Sequence, residues 1–349
     1  MTIYCGVDFH ARVQTVSWLE TNNGEIHQKD LQHQKDDVRG FYQQFTGEVI
    51  VGIEASGYSR WFEDMLEGLG HQVWVGDATE IRRLARRRQK NDKRDADHIL
   101  DLMVKGEFPR VHSLSRESRE VLGQLRYRHR LVKMRTMAAN CLKAIAIGAG
   151  LSEKRRLVTS TGRRKLDAAG LPAVLSEQCK MWLELIDDLT AKIEAVERWL
   201  EERAQADQRV ERLRTHPGIG LLTGLALVHT LEPVDRFPST RKVAAYVGLD
   251  PMEESSAERK RYGGVSKAGS TLVRFLLVEA GQTAAKRDPQ LRSFYQRLRD
   301  KRKTAKAKVA VARKLAVRGF IMLRDQIDYS EFLRRGVEAR SSRRAAAND

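Results

Sequence analysis

The first 80 residues alternate between apolar and polar positions in a way that predicts a sheet with interspersed helices. Strands are predicted at residues 2–9, 13–19, 25–31, 48–54 and 71–76, and helices at residues 36–46, 58–69 and 79–89. A turn signal, Asn22-Asn23-Gly24, joins the second and third strands. Three antiparallel strands followed by alternating helices and strands predict an α/β domain with a mixed sheet covered by helices.

Helical periodicity dominates residues 115–205. Residues 116–147 predict one long basic helix, which Gly148 and Gly150 end. A later helix carries apolar residues spaced alternately by four and three positions, at Trp182, Ile186, Leu189, Ile193, Val196 and Leu200. Such a seam packs either against the preceding helix of the same chain or against another protomer, and we favour a coiled-coil element used in assembly.

Glycine-containing turns organise the remaining residues. The segment THPGIGLLTGLALVH (215–229) predicts a tight turn before an apolar helix, and RYGGVSKAGS (261–270) predicts a second turn before a helix at 271–285. Residues 307–325 predict a basic amphipathic helix, and the terminal RSSRRAAAND is expected to fray.

The charge of the chain changes sign along its length. The 349 residues carry a formal net charge of +17, which favours a polyanionic partner, most often nucleic acid. Residues 1–80 have 13 acidic against 5 basic side chains, whereas residues 81–145 have 7 against 18 and residues 301–349 have 5 against 14. An acidic block followed by basic blocks fits a metal-using core flanked by phosphate-binding segments. The simpler alternative is a basic binding protein with a chance acidic domain.

Composition also disfavours several classes of protein. No apolar run approaches the roughly 20 residues that a membrane span requires, and the first residues, MTIYCGVDFH, do not have the pattern of a signal peptide. The three scattered cysteines, Cys5, Cys141 and Cys179, indicate neither a disulfide framework nor a zinc site. We therefore expect a protein of the reducing cytosol.

Four carboxylates occupy positions that suit a metal site. Asp8 ends the first predicted strand, and Glu54 ends a strand that lies beside the first in this topology. Asp92 and Asp95 are three residues apart and share one face of a helix. Such oxygen ligands suit Mg²⁺, and two metal ions can support phosphodiester cleavage. Each acid taken singly has a structural explanation, as a turn cap, an arginine partner or a helix N-cap, so only their joint arrangement favours the metal.

The same run, RRRQKNDKRDADHI (86–99), mixes these acids with many cations. Asp97 lies two residues after Asp95 and so points elsewhere, where Lys93 or Arg94 can pair with it. We expect the cations that precede the acids to approach nucleic-acid phosphate beside the metals: Arg86, Arg87, Arg88 and Lys90.

Taken together, these segments resemble a known family. GVDFH (6–10), IEASG (53–57) and KNDKRDADHI (90–99) resemble the RuvC-like domain of the DEDD transposases of the insertion-sequence one-ten family. Segments of the C-terminal half resemble the same family: HPGIGLLTGLALV, RFPSTRKVAAYVGLDP (236–251), SSAERKRYGGVSKAG and VAVARKLAVRGFIMLRD. The resemblance covers most of the chain.

The resemblance implies a domain organisation and an activity. It implies an RNase H-like (RuvC-like) α/β domain at 1–110 that binds Mg²⁺ through Asp8, Glu54, Asp92 and Asp95. It further implies a helical coiled-coil linker and assembly region at 111–206, a mainly α C-terminal transposase domain with a nucleophilic serine at 207–330, and a basic tail at 331–349. The implied activity is that of an RNA-guided DNA recombinase that mobilises its own element.

Partners and location follow from the same resemblance. They are donor and target DNA, a structured non-coding bridge RNA, and further copies of the chain in a homodimer or homotetramer with composite active sites. The implied location is the bacterial cytoplasm, in association with the nucleoid, and no membrane partner is expected.

The nucleophile that the resemblance implies lies a few residues after Gly248-Leu249-Asp250-Pro251. Ser255 and Ser256 both fit, and we favour Ser256 because Ala257 supplies the small residue that usually follows this serine. Attack would leave a 5′-phosphoserine link and a free 3′-hydroxyl. No obvious His–Asp pair stands near the serines, since His216 and His229 are distant in sequence, so the metals are expected to activate the hydroxyl. Without the resemblance, an adjacent serine pair indicates only a solvated turn.

Basic side chains and glycines complete the expected nucleic-acid interface. Around the serines, the residues expected to hold the scissile phosphate are Arg259, Lys260, Arg261 and Lys267. Gly218 and Gly220 are expected to let the PGIG turn grip backbone phosphates. On the long helix, the cations expected to bind structured RNA are Arg126, Arg128, Arg130, Lys133 and Arg135. A charged solvent face is the alternative for that helix.

Two other functions stay open on the sequence alone. One is a metal-dependent RuvC-like junction endonuclease that cleaves through water without a covalent intermediate. The other is a nucleic-acid-binding regulator with an inactive site. The complete acid quartet argues against the regulator, and the C-terminal serine, glycine and lysine block argues against the nuclease.

Overall fold

In the computed structural model, which describes residues 1–33, 37–85, 92–151, 157–253, 262–301 and 304–345, the chain divides into two units. The first is Met1–Ser113 and the second is Leu114–Asp349. Among the described helices, we find none with the length and apolar composition needed to cross a membrane.

A mixed five-stranded sheet forms the core of the N-terminal unit, in the order β3-β2-β1-β4-β5. The strands are β1 (Thr2–Phe9), β2 (Val13–Glu20), β3 (Ile26–Gln32), β4 (Glu48–Glu54) and β5 (Gln72–Gly76). β1, β2 and β3 pair antiparallel, whereas β4 pairs parallel with both β1 and β5. This arrangement confirms the predicted α/β domain with a mixed sheet and is compatible with an RNase H-like fold.

Four helices accompany the sheet, and the first three begin within two residues of the predicted helices at 36–46, 58–69 and 79–89, although the third ends earlier, at Leu84. They are α1 (Asp37–Gln43), α2 (Arg60–Gly68), α3 (Ala78–Leu84) and α4 (Asp92–Val104). Helix α4 packs so closely on the sheet that a β-carbon on Gly6 would meet the backbone of Ala96 and Leu100. A β-carbon on Gly52, the partner of Gly6 on β4, would meet the sulfur of Met103. Glycine at both positions therefore permits the close approach of helix and sheet.

Long helices dominate the C-terminal unit. They begin with α5 (Arg116–Gly148), α6 (Ser160–Asp167) and α7 (Ala173–Ala206). Helices α5 and α7 run antiparallel, because Arg128 of α5 pairs with Glu197 of α7 while Arg135 bonds Thr190. The predicted long basic helix is thus confirmed as α5.

The apolar seam of α7 is covered within the chain. Ile186, Leu189, Ile193 and Leu200 are all buried. Leu189 and Ile193 pack against Leu131 of α5. The preference for an interface between protomers was therefore wrong for these positions, because α5 of the same chain already removes them from water.

Shorter helices and a small hairpin follow the long pair. They are α8 (Gln208–Arg214), α9 (Leu221–Leu231), a 3₁₀ turn (Val234–Arg236), α10 (Thr240–Tyr246), β6 (Pro251–Glu253), β7 (Tyr262–Val265), α11 (Thr271–Arg287), α12 (Pro289–Lys301), α13 (Thr304–Arg324) and α14 (Tyr329–Ala345). Buried residues of α9, α11 and α13 share one apolar core with those of α5 and α7. Of the last ten residues, which are expected to fray, 340–345 continue α14.

Candidate active site

Two carboxylates end neighbouring parallel strands of the sheet. The last paired residues of β1 and β4 are Val7 and Ile53, and Asp8 and Glu54 each follow by one residue. Residues at the same level of adjacent strands point to the same face, and the strands lie about 4.8 Å apart. Asp8 and Glu54 therefore lie side by side at one edge of the sheet, which we call the acidic edge.

Helix α4 packs on the face to which these carboxylates belong. Gly6 lies two residues before Asp8 and so belongs to the same face of β1. The backbone of Ala96 abuts Gly6, as described above. Asp95 immediately precedes Ala96 and is half-buried, so it lies in the part of α4 that packs on the strand of Asp8.

The chemistry of these donors fits a magnesium ion. Asp92 begins α4, and its side chain lies outside the described residues. Within the described part of the chain, no group of three or more His, Cys, Asp or Glu side chains could hold a metal ion. The described candidates, Asp8, Glu54 and Asp95, are all carboxylates, which are the ligands that Mg²⁺ prefers. The site of four carboxylates stays a prediction.

The acidic edge has two partners, an arginine that the sequence allowed as a structural explanation and a histidine that the sequence reasoning missed. Arg82 of α3 donates a hydrogen bond from Nη2 to Oε1 of Glu54 over 2.7 Å. His10 lies with Nε2 at 3.1 Å from Oδ2 of Asp8. Two features of the sequence could have indicated these contacts. His10 is two residues after Asp8, and Arg82 is in α3, which follows β5, the neighbour of the strand that ends in Glu54. Each of the two strand-end acids therefore has a side-chain partner: Glu54 contacts the guanidinium of Arg82, and Asp8 contacts the imidazole of His10.

Asp97 has a different role from that of its neighbours in α4. Its Oδ1 accepts hydrogen bonds from Ser17 Oγ at 2.5 Å and from Gln28 Nε2 at 3.1 Å. Both partners lie on strands of the sheet, so Asp97 joins α4 to β2 and β3. The expected pairing with Lys93 or Arg94 stays a prediction, since the side chain of Lys93 lies outside the described residues.

The two candidate nucleophiles lie in the segment between the strands of the β6–β7 hairpin. Ser255 and Ser256 are outside the described residues, as are the predicted phosphate ligands Arg259, Lys260 and Arg261. Lys267 follows the hairpin and is exposed. Just before β6, Asp250 accepts a hydrogen bond from Ser266 Oγ over 2.5 Å. This bond ties together the two chain segments that enter and leave the hairpin.

The cations of α5 fall into two groups. Arg128 pairs with Glu197 over 2.5 Å, and Arg135 donates to Thr190 over 3.3 Å, so both contact α7. Arg126, Arg130 and Lys133 are exposed. The exposed group is therefore more accessible to an RNA than the group that contacts α7. The RNA contacts expected of all five cations stay predictions.

The two glycines of the PGIG turn have different surroundings. Gly218 is buried, its N–H donates to Nδ1 of His216 over 3.2 Å, and a β-carbon there would meet Ala284 of α11. Gly220 is exposed and precedes α9. A phosphate could therefore approach the turn at Gly220 more readily than at Gly218, where the N–H already has an acceptor.

A buried polar cluster supports this turn. Asp288 accepts hydrogen bonds from Arg318 Nη1 at 2.5 Å and from the hydroxyl of Tyr329. His216 lies with Nε2 at 3.9 Å from the Asp288 carboxylate. Burial, together with the smaller effect of the Arg318 charge, lowers the pKa of His216 to about 4, and the Asp288 carboxylate only partly opposes this. His216 is thus a neutral residue of this buried cluster.

His229 belongs to a second buried cluster. Its Nδ1 lies 2.7 Å from Ser118 Oγ. Burial lowers its pKa, and the nearby carboxylate of Glu232 opposes that effect. Glu232 also accepts hydrogen bonds from Ser115 at 2.7 Å and from Arg209 at 3.1 Å. These contacts connect α5 with α8 and α9, so His229 has structural partners of its own.

Two family models match the chain. A transposase model of the DEDD class of IS110 elements matches residues 5–146, which include the acidic edge and α4. A model described as transposase IS116/IS110/IS902 family matches residues 210–296, which include the hairpin and α11.

Curated relatives agree with the family models. A probable family 20 transposase of Pseudomonas aeruginosa is 27% identical over 286 residues, which are 80% of this chain and 83% of the relative. The transposase for insertion sequence element IS1111A of Coxiella burnetii is 26% identical over 237 residues, 67% of this chain and 65% of the relative. The transposase for IS1328 of Yersinia enterocolitica is 27% identical over 244 residues, 68% and 71% of the two chains.

Proposed function

Because the chain belongs to the DEDD transposases of the IS110 family, we propose that it cleaves and rejoins DNA through a phosphoserine intermediate, assisted by Mg²⁺ and guided by a structured RNA. The observation that carries the proposal is the pairing of Asp8 and Glu54 at one sheet edge, with α4 packed on the same face. We also assign the N-terminal unit to the RNase H-like fold, because a mixed sheet in the order β3-β2-β1-β4-β5 supports that assignment.

The acidic edge would hold the metal. Asp8, Glu54, Asp92 and Asp95 would be its ligands, because carboxylates and phosphate oxygens together satisfy Mg²⁺. Bound there, Mg²⁺ would stabilise the charge that develops on the phosphate and lower the pKa of the attacking hydroxyl. Glu54 would have to share its carboxylate with Arg82 or exchange Arg82 for the metal.

The serine would form the covalent link. Its Oγ forms a bond to phosphorus while the bond between phosphorus and the 3′ oxygen breaks. The serine hydroxyl loses its proton, and the departing 3′ oxygen gains one. The reverse step, attack by a 3′-hydroxyl on the phosphoserine, rejoins the strand with no external energy source. We favour Ser256 over Ser255 as the nucleophile.

Binding of DNA and RNA would use the basic parts of the chain. The exposed Arg126, Arg130 and Lys133 supply cations on α5 for an RNA backbone. Lys267 and the exposed Gly220 at the start of α9 supply contacts for DNA phosphates near the hairpin. Donor and target DNA would then be selected by base pairing with the RNA.

A covalent adduct is the decisive test. The purified protein is incubated with DNA ends of its element, the transcript of the flanking non-coding DNA and Mg²⁺, and is then denatured. We expect a denaturant-resistant adduct, which peptide mapping places on Ser256 or else on Ser255. Ser256→Ala should lose the adduct and strand exchange together, whereas Ser293→Ala on the exposed side of α12 should retain both.

If the protein is instead a junction nuclease, the opposite result is expected. Its water-derived nucleophile would leave 5′-phosphates and no protein–DNA link at any time. Efficient cleavage of this kind by the Ser255→Ala, Ser256→Ala double variant would exclude the serine mechanism and support the nuclease.

A further inference from the structure

The β6–β7 hairpin, whose strands flank the candidate nucleophiles, has little packing of its own. Strands β6 and β7 pair with each other in a two-stranded sheet. None of the strand residues whose side chains the structure describes is buried. A two-stranded hairpin without a covered apolar face is only marginally stable in water. The hairpin therefore depends on the contacts at its base to keep one position.

Asp250 and Ser266 close the base of the hairpin with two hydrogen bonds. The Ser266 N–H donates to the carbonyl oxygen of Asp250 over 3.0 Å, and the Ser266 hydroxyl donates to Oδ1 of the same residue over 2.5 Å. Hydrogen bonds from a hydroxyl to a carboxylate are short and about twice as strong as those between neutral groups. Asp250 directly precedes β6 and Ser266 directly follows β7. The pair therefore holds both strands that lead to the segment with the serines.

This base is fixed to the body of the C-terminal unit. Leu249, next to Asp250, is buried in the apolar core. Gly248 has a left-handed φ of 67°, and a β-carbon there would lie 2.8 Å from the backbone nitrogen of Gly269. Arg274 of α11 donates a hydrogen bond to the carbonyl oxygen of Gly269. The bond between Ser266 and Asp250 thus connects a weakly packed hairpin to a well-packed base.

Lys267 shows that the turn after β7 is held under strain. Its φ is 55°, in the left-handed region that residues with a β-carbon rarely adopt. On one side of it Ser266 is bonded to Asp250, and on the other a β-carbon on Gly269 would collide with the carbonyl oxygen of Tyr246. A strained residue persists only where its neighbours determine its conformation, and such residues cluster at functional sites. The strain at Lys267 therefore favours a functional constraint on the position of this turn.

We propose that Asp250 and Ser266 are positioning residues for the covalent step, because their bond sets the hairpin in the position from which its serine reaches the scissile phosphate. The proposal rests on the proposed function for the serine as nucleophile. Asp250 and Ser266 act through the hairpin and not on the reacting atoms. Loss of their bond lowers the fraction of molecules in which the hairpin is correctly placed, so it slows the covalent step and leaves DNA binding elsewhere on the protein unchanged.

The rate of adduct formation tests the proposal in the full-length protein with RNA, Mg²⁺ and a series of DNA concentrations. Ser266→Ala and Asp250→Ala should each lower the maximal rate about tenfold, the scale of one charge-assisted hydrogen bond. The DNA concentration that gives half of that rate should change by less than about twofold. Ser266→Thr keeps the hydroxyl and should retain most of the wild-type rate. The matched control Ser330→Ala removes a bond of the same kind, to Asp328 over 2.7 Å, and should retain the wild-type rate.

Two further measurements separate positioning from other causes. The double variant Asp250→Ala, Ser266→Ala should be no slower than the slower single variant, because both substitutions remove the same bond. Hydrogen exchange of the peptides that contain β6 and β7 follows the hairpin without catalysis. It should be faster in both single variants than in the wild type or in Ser330→Ala. If Asp250→Ala does not fold, Ser266→Ala decides, because it retains the backbone bond to Asp250.

The outcomes distinguish this proposal from the proposed function. A wild-type protein that forms no adduct would overturn the proposed function and the positioning role with it. A wild-type adduct together with an unchanged rate in Ser266→Ala, unchanged hydrogen exchange, or additive losses in the double variant would overturn the positioning role alone.

Discussion

Arg82 Nη2 donates a hydrogen bond to Glu54 Oε1 over 2.7 Å, so one of the two strand-end acids has a cationic partner before any metal binds. The guanidinium and a divalent ion would compete for the same carboxylate. Because both side chains are partly solvated, the repulsion between the two cations is modest, on the order of 1 kcal/mol.

Arg82→Gln should therefore lower the Mg²⁺ concentration that gives half-maximal DNA cleavage, by about three- to tenfold. Cleavage measured over a series of Mg²⁺ concentrations gives the half-maximal concentration. Electron paramagnetic resonance of bound Mn²⁺ gives the metal affinity of each variant independently of catalysis. Arg83→Gln is the matched control, because Arg83 is equally exposed at 69% but pairs with Glu80 at 2.7 Å. A higher Mg²⁺ requirement in Arg82→Gln would mean instead that Arg82 binds the nucleic acid.

Substitutions of the metal-site acids should affect catalysis, whereas substitution of Asp97 should mainly affect stability. Asp8→Ala, Glu54→Ala, Asp92→Ala and Asp95→Ala are each expected to abolish recombination and leave RNA binding largely intact, because each would remove one of the proposed metal ligands. Asp97→Ala should keep more activity but lower the free energy of unfolding by about 1 kcal/mol, since it removes the acceptor for Ser17 and Gln28. Recombination assays beside urea unfolding make the comparison. Near-normal recombination by Asp92→Ala would remove that residue from the site.

The buried His216 should make stability depend on pH. Its pKa is lowered to about 4 in the folded chain, whereas an unfolded histidine titrates near 6.5. Between these values the unfolded chain binds the extra proton, so stability falls as the pH falls from about 6.5 towards 4. At pH 5 the loss from this residue is about 2 kcal/mol relative to pH 7.5.

His216→Gln should remove most of that pH-dependent loss. Urea unfolding at pH 7.5 and pH 5.0, at one ionic strength, gives the difference in unfolding free energy for each variant. The control is His27→Gln, which changes an exposed imidazole and should retain the wild-type difference. An equal pH dependence in His216→Gln and the wild type would contradict a neutral, buried His216.

A charged side chain in the apolar seam between α5 and α7 should destabilise the protein as much as one in a hydrophobic core. Ile193→Asp puts a carboxylate where Leu131 and Leu189 exclude water, so it should lower the free energy of unfolding by about 4 kcal/mol or more. Met181→Asp, on the exposed side of the same helix, should change it by only about 0.5 kcal/mol. Thermal unfolding and light scattering test both. A folded Ile193→Asp variant with a smaller oligomer mass would restore the seam as an interface between protomers.

The sequence by itself determined the five strands of the N-terminal sheet, to within about a residue at most ends, and the long helix α5. The pleat places alternate residues on opposite faces, so apolar alternation marks a strand wherever it occurs. That local rule located β1 and β4, and with them the positions of Asp8 and Glu54 at the strand ends. It also located α5, because its apolar spacing and its terminal glycine are local signals.

Only the tertiary structure decided which surfaces and side chains meet. An apolar seam specifies that α7 must be covered but not by what, and α5 covers it because the chain returns antiparallel. The bonds from Arg82 to Glu54 and from Ser17 to Asp97 join residues 28 and 80 positions apart, and no local pattern encodes such pairs.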